Sequence, residues 1–178
     1  YKRAAADFEN FVINQARGAG VYSAGGVRAA TTRLIDEHGP LVGTGNALDL
    51  AIEGAGYFQV QRADGTTAYT RSGNFSRTAE GTMVTSDGLP VQPQIQIPEG
   101  ATSITIGNDG TVSATLQGQT TPTELGKLEV ANFMNPAGLQ AIGGNLLTET
   151  AASGTPQSGA AGLDGRGVIR QGSLESSN

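Results

Sequence analysis

The chain has 178 residues, a net charge of −5 and no Cys, which suits one large domain or two small ones whose core needs no covalent staple. Without Cys there is no disulfide framework, Cys-ligated zinc, thiol catalysis or Cys-held iron–sulfur cluster; the acidic balance argues against nucleic acid, and Lys2 and Lys127 alone make no polybasic membrane anchor. No apolar run approaches the roughly 20 residues of a membrane helix, no signal peptide is visible, and a start at Tyr1 rather than Met fits a fragment of a longer protein.

Residues 1–15 carry the one helical pattern. Ala4, Phe8, Phe11, Val12 and Gln15 share a face, Asp7 and Glu9 point away, and Gly18 and Gly20 stop the run. Its shortness leaves an extended arm open as well. Residues 18–26 read as a Gly-rich hinge, and 27–34, with Thr31 and Thr32, as a strand. From Ala47 the grammar is strand and turn. Leu48, Leu50 and Ile52 alternate with Asp49 and Ala51. Phe58 and Val60 alternate with Tyr57, Gln59 and Gln61, a period of two with one face buried. Asp64-Gly65 between alternating residues predicts a hairpin in which both turn residues have positive φ. Glu80-Gly81, Asp87-Gly88 and Asn108-Asp109-Gly110 repeat the signal. Strands are expected over 67–71, 74–77, 82–85, 89–92, 103–106, 111–116 and 124–133. Pro90, Pro93 and Pro98 make 92–97 an edge or a connector. Small polar residues around Pro156 make 151–162 a mobile surface loop, and 164–174 returns to strand through Val168 and Ile169.

The predicted fold is therefore mainly β, with short antiparallel strands and hairpins behind an N-terminal arm or short helix. Residues 1–46 read as arm and linker, 47–150 as the main β domain, and 151–178 as a loop and final strand. The expected core is Leu48, Leu50, Ile52, Phe58, Val60, Tyr69, Phe75, Ile104, Ile106, Leu128 and Val130.

Candidate chemistry is sparse. Asp36-Glu37-His38 holds the single His, but neighbours on a strand face opposite sides and do not converge on a metal; a solvated turn before Gly39-Pro40 explains them. No Ser sits in a nucleophile elbow. Asp64, Asp87, Asp109 and Asp164 stand at turns, where local hydrogen bonding accounts for Asp. Asn108-Asp109-Gly110 lacks the bidentate Glu of a calcium loop, and Gly54-Ala55-Gly56 lacks the rest of a dinucleotide fingerprint. Asn74-Phe75-Ser76 matches the glycosylation pattern no better than chance. No catalytic, cofactor-binding or metal-binding residue is assigned, and no enzyme activity or cofactor is expected. Charged residues are only 15% and Gly numbers 27, against usual shares of about 25% and 7%. Between Glu129 and Asp164 the only charge is Glu149. Such a surface is either solvated by polar groups or covered by a neighbour, and a structural or binding role follows.

Two stretches carry a resemblance. Leu48-Asp49-Leu50-Ala51-Ile52-Glu53-Gly54-Ala55-Gly56-Tyr57-Phe58-Gln59-Val60, then Tyr69-Thr70-Arg71-Ser72-Gly73-Asn74-Phe75, resembles the central signature of bacterial flagellar rod and hook proteins. The closing Gln171-Gly172-Ser173-Leu174-Glu175-Ser176-Ser177-Asn178 resembles that family's exit into a C-terminal helix, and Tyr1-Lys2-Arg3 the residues just after its N-terminal helix. Phe133-Met134-Asn135-Pro136-Ala137-Gly138-Leu139, Gly144-Asn145 and Glu149-Thr150 match a further shared segment. Segments 91–98 and 106–113 are similar to the distal-rod branch, whereas 16–26 is short, as in hook members.

The resemblance implies a structural subunit of the flagellar axial structure, set in the distal rod and transmitting torque. Hook and proximal-rod subunits stay open beside it, as does a non-catalytic β-rich binding or adhesin module. It also implies terminal helices outside this chain forming an inner coiled-coil tube, with the β domain as outer wall. Partners would be copies of itself in a helical tube and neighbouring rod and hook proteins, without nucleic acid or membrane insertion. The implied location is the periplasm-spanning basal body or the hook, reached through the flagellar secretion system without a cleaved signal peptide. The isolated fragment is expected to be monomeric, with its two ends close together and 16–26 as its bending segment.

Overall fold

Alternating apolar residues and turn glycines set the architecture of residues 39–176, the part that the computed structural model describes. The expected helix at 1–15, hinge at 18–26, strand at 27–34 and turn at 36–38 lie outside the described residues. In chain order the strands are β1 (Leu41–Gly43), β2 (Leu50–Glu53), β3 (Tyr57–Gln61), β4 (Thr67–Thr70), β5 (Ser76–Arg77), β6 (Met83–Val84), β7 (Ala101–Ile106) and β8 (Thr111–Leu116). There follow β9 (Thr123–Lys127), β10 (Val130–Asn132), β11 (Gln140–Gly143), β12 (Leu146–Thr148), β13 (Gln157–Gly159), β14 (Val168–Gln171) and β15 (Ser173–Glu175). A 3-10 turn at Pro136–Gly138 is the one helical piece among the described residues. The mainly-β, antiparallel expectation holds.

The largest sheet has six strands in the order β11-β12-β4-β3-β10-β13. A three-stranded sheet runs β7-β8-β9, and β1–β15, β2–β14 and β5–β6 form two-stranded ribbons. β3 lies inside the six-stranded sheet and is buried on both faces, not on one as the alternation suggested. Phe58 enters the main core with Leu50, Ile52 and Val130, and Val60 is fully buried as well. Tyr57, on the opposite face, joins Tyr69, Ala131 and Phe133, with Leu139 and Leu147 against them. The reason is a crossover. The chain leaves β10 near one edge and returns as β11 at the other, carrying Phe133 and Leu139 across that face. Phe133 meets Tyr69 and Tyr57 edge to face, with centroids 4.9 and 6.0 Å apart.

Leu50, Ile52, Phe58, Val60, Tyr69, Phe75, Ile106, Leu128 and Val130 are buried as expected, while Leu48 and Ile104 are only partly so. Of the two alternatives for residues 92–97, the connector holds and the edge does not. Ile95 and Ile97 are fully buried, because the Met83 amide donates to Ile95 O (3.0 Å) and the Ile97 amide to Gly81 O (2.8 Å). The expected strand over 89–92 reduces to isolated bridges at Pro90 and Val91. The run 124–133 breaks into β9 and β10, since Leu128 turns inward and its amide donates to Gly110 O at 2.8 Å. Segment 151–162 is tied down: Ser153 is buried and β13 pairs with β10.

Four hairpins share one turn. The amides of Arg62, Thr78, Thr85 and Gly107 each donate to the carbonyl four residues on, at 2.7–2.9 Å. The amides of Gly65, Gly81, Gly88 and Gly110 each donate back to the first residue of the turn at 2.9 Å. Only that glycine has positive φ, between 87° and 95°. This is a type I turn followed by a left-handed glycine, not the two-residue turn expected at Asp64-Gly65. Successive positive φ values occur instead at Gly143-Gly144-Asn145 and Asp164-Gly165. Gly88→Ala should therefore cost about 1–2 kcal/mol for the left-handed backbone alone. Gly81→Ala should cost clearly more, because its new Cβ would also fall 2.1 Å from Ile97 O; urea melts of the two variants check the ranking.

Asp64 and Asp109 close two of these turns. Asp64 accepts from the Thr66 hydroxyl (2.6 Å) and amide (3.0 Å), and Asp109 from the Thr111 amide (3.0 Å). These bonds, the Thr66 hydroxyl first for Asp64 and the Thr111 amide for Asp109, hold both carboxyls below the ordinary carboxylate range. A depressed folded-state pKa stabilises the fold above the unfolded value, and that contribution fades as pH falls through the folded value. In an NMR titration both carboxyls should protonate below the ordinary carboxylate range, and Thr66→Val should move Asp64 back upward.

Candidate functional site

The described residues offer little to chemistry. They contain no group of three or more His, Cys, Asp or Glu placed to hold a metal. Asn108-Asp109-Gly110 is a hairpin turn, and Gly54 and Gly56, with φ of 114° and 122°, bend β2 into β3. Phe75 of the Asn74-Phe75-Ser76 triplet is buried in the core. His38 lies outside the described residues. An open groove of about 780 Å³ runs between the β3–β4 turn and segment 148–155, with Arg62, Thr67, Tyr69, Glu149 and Thr155 on its walls. Burial, and secondarily the Glu149 charge, push the Tyr69 phenol up.

The residues that concentrate long-range polar contacts lie elsewhere, where the described chain begins and ends. β1 and β15 pair antiparallel, Leu41 opposite Glu175 and Gly43 opposite Ser173. The Ser176 amide continues the ladder to Pro40 O at 2.9 Å. The described ends thus lie side by side; Tyr1 and Asn178 are outside the described residues. A two-stranded ribbon is marginal alone, so it must be fastened to the body, and three devices do this.

Gly172, with φ 78°, turns β14 into β15. Its carbonyl accepts from Thr44 (2.8 Å) and Gly45 (3.1 Å), and its amide donates to Asp49 O (2.8 Å). The Thr44 hydroxyl donates to the Asp49 carboxylate at 2.8 Å. Gln171 acts beside it. Its Nε2 donates to Ala47 O and Ile104 O, each at 2.9 Å, and its Oε1 accepts from the Ile106 amide at 3.0 Å. One side-chain amide thereby satisfies β7 as a neighbouring strand would.

Arg71 is the third device. Its Nη1 donates to Gly54 O (2.9 Å) and Gly56 O (2.7 Å), and its Nη2 to Ile52 O (2.9 Å). Its Nε pairs with Glu175 at 2.9 Å, and the two side chains are 17% and 13% exposed. Arg71 can stand there because Gly73 follows. The Leu50 amide donates to Gly73 O at 2.9 Å, and a Cβ on Gly73 would lie 1.7 Å from Leu50 O. The segments singled out in the sequence, 48–60, 69–75 and 171–175, thus meet at the base of the body. The reading by periodicity missed Arg71 and Gln171 as a clamp, because their partners lie up to 124 residues away in the chain.

Residues 51–114 match the family described as "Flagellar hook protein FlgE/F/G D1 domain". The whole chain is 43% identical to the flagellar basal-body rod protein FlgG of Buchnera aphidicola from Acyrthosiphon pisum, spanning 73% of that protein. The chain belongs to the flagellar rod protein family. It is 48% identical to the FlgG of Caulobacter vibrioides over 89% of this chain and 61% of the relative. With the flagellar hook protein FlgE of Rhizobium meliloti it shares 32% over 64% of this chain and 30% of that protein. The chain is a structural rod subunit of the flagellar axial structure, and its family, non-catalytic, belongs to the basal-body rod and the hook.

In a structural subunit the clamp at the base is the functional geometry. Arg71→Ala removes four hydrogen bonds, the pairing with Glu175 among them, for an expected loss of about 3 kcal/mol. Arg71→Lys keeps the charge but not the planar fork, and should recover less than half of it. Denaturant melts give the totals, and hydrogen exchange at residues 173–176 should rise in both variants ahead of the core strands.

Proposed function

We propose that this chain is the outer-wall part of a distal-rod subunit, polymerising with its own copies and with adjoining rod and hook proteins to carry torque. Full-chain likeness to basal-body rod relatives, against partial and weaker likeness to a hook protein, is the observation that carries the distal-rod placement. The clamp supports the mechanical role. Torque entering through one strand of the ribbon is shared at once with the other, and reaches the body through Arg71, Gln171 and Gly172 rather than through one covalent connection. In this reading 1–46 is the arm and linker, 47–150 the wall, and 151–178 the return path. The chain works without catalysis or cofactor, makes no contact with nucleic acid, and leaves the cell through the flagellar secretion system with no cleaved signal peptide. As an isolated fragment it is monomeric in dilute solution.

The test is complementation of a strain lacking its own basal-body rod protein FlgG, using the full-length gene that contains this chain. Motility in soft agar should return with the natural sequence and fall with Arg71→Ala at equal protein level. Rescue of a hook-protein deletion instead would overturn the distal-rod placement.

A further inference from the structure

A strand at the edge of a sheet exposes unpaired amides and carbonyls, and proteins guard such edges with charge, Pro, bulges or a covering group. Several edges here are guarded by single side chains. The Gln171 amide caps β7. The Arg166 guanidinium caps β13, donating to Ala160 O (2.9 Å) and Gln157 O (3.3 Å), and it fits because Gly159 has no side chain. β6 is lined by the backbone of Val91 and Ile95.

β11 and β9 differ. Each pairs on one side only, and among the described residues no side chain caps the other side. All of Gln140–Gly143 is exposed, without charge or Pro. The chain from Val130 to Thr148 carries no charged residue. A bulge between Ala141 and Gly143 re-aims Ile142, which is 37% exposed. On β9, Thr123, Glu124 and Lys127 are exposed, and the two charges are of opposite sign. The two open edges belong to different sheets, so they are two distinct patches on one chain.

We infer that the β11 edge of one copy takes the β9 edge of the next. The occupant is a second copy because a subunit of an axial structure needs a head-to-tail contact that joins two different patches and does not close on itself. The β9 edge also meets β11 without repulsion, because β11 carries no charge. The contact is short, and therefore weak between two free copies and strong only when repeated in a polymer. This inference rests on the axial-subunit reading above.

The chain has no Cys, so introduced thiols report one contact each. Ile142→Cys and Thr123→Cys chains, mixed at millimolar concentration and oxidised, should give a disulfide heterodimer, and the double variant a ladder of multimers. Thr105→Cys, on the exposed face of β7, should give neither with Ile142→Cys. Adding Gln140→Lys to the double variant should abolish the ladder while the circular dichroism spectrum stays native. Heterodimer no stronger than in the Thr105 control, with native spectra, overturns the inference. So does homodimer from Ile142→Cys alone, which would mean a closed contact of β11 with itself. Complementation scores the rod reading separately, so a failed cross-link overturns the edge contact alone.

Discussion

A guanidinium offers five N–H donors in a rigid plane, and at Arg71 that plane meets three carbonyls and a carboxylate at once. The carbonyls belong to Ile52, Gly54 and Gly56, at the end of β2 and along its bend into β3. The carboxylate belongs to Glu175, on the last strand. One side chain therefore closes a tight bend and moors the outgoing chain to it. Burying the charge is tolerable only because every acceptor lies in place, which is why Gly73 must let the backbone pass against Leu50. Gln171 and Gly172 depend on the same alignment, since they hold the ribbon from the other side, against β7 and Asp49.

Local chemistry was legible wherever the determining neighbours are close in sequence. The turn glycines announced their hairpins, and alternation found most of the core. The turn type was misjudged because dipeptide identity does not reveal how many residues the flanking strands leave unpaired. Ile95 and Ile97 were left out of the expected core because Pro93 and Pro98 bracket them like an edge or connector, whereas their backbone partners are Met83 and Gly81. β3 looked half-exposed because the crossover that covers its second face belongs to residues 133–139. Segment 151–162 looked loose because Ser, Gly and Ala carry little periodicity, although Ser153 and Ala161 are buried. For the base clamp, the conspicuous residues stood out as a resemblance, while their mutual contact is visible only in three dimensions.

The low charge content also has a physical pattern. The Arg and Gln side chains that matter most structurally point at backbone, not at water. Arg71, Arg166 and Gln171 substitute for missing strands, so the fold spends polar side chains on its own irregular edges. What remains outside is rich in Thr, Ser and Gly beside scattered charges such as Glu124 and Lys127, and uncharged polar groups cost less to cover than charges do.

Because β1 and β15 leave the body side by side, everything from Thr44 to Gly172 is a closed excursion from two adjacent points. Such an excursion behaves as a cassette. Sheets and hairpins far from the ribbon can grow, shrink or be exchanged without shifting the positions at which the chain departs and returns, provided Arg71, Glu175 and the Gln171-Gly172 turn are kept. Descent within an axial family can then diversify the outer surface by insertion and replacement while the dimensions of whatever is joined to the two strands stay constant. It also makes the body a natural place to graft a foreign domain, and Asp87-Gly88, whose glycine has no atom near its missing side chain, is a hairpin tip open to that use.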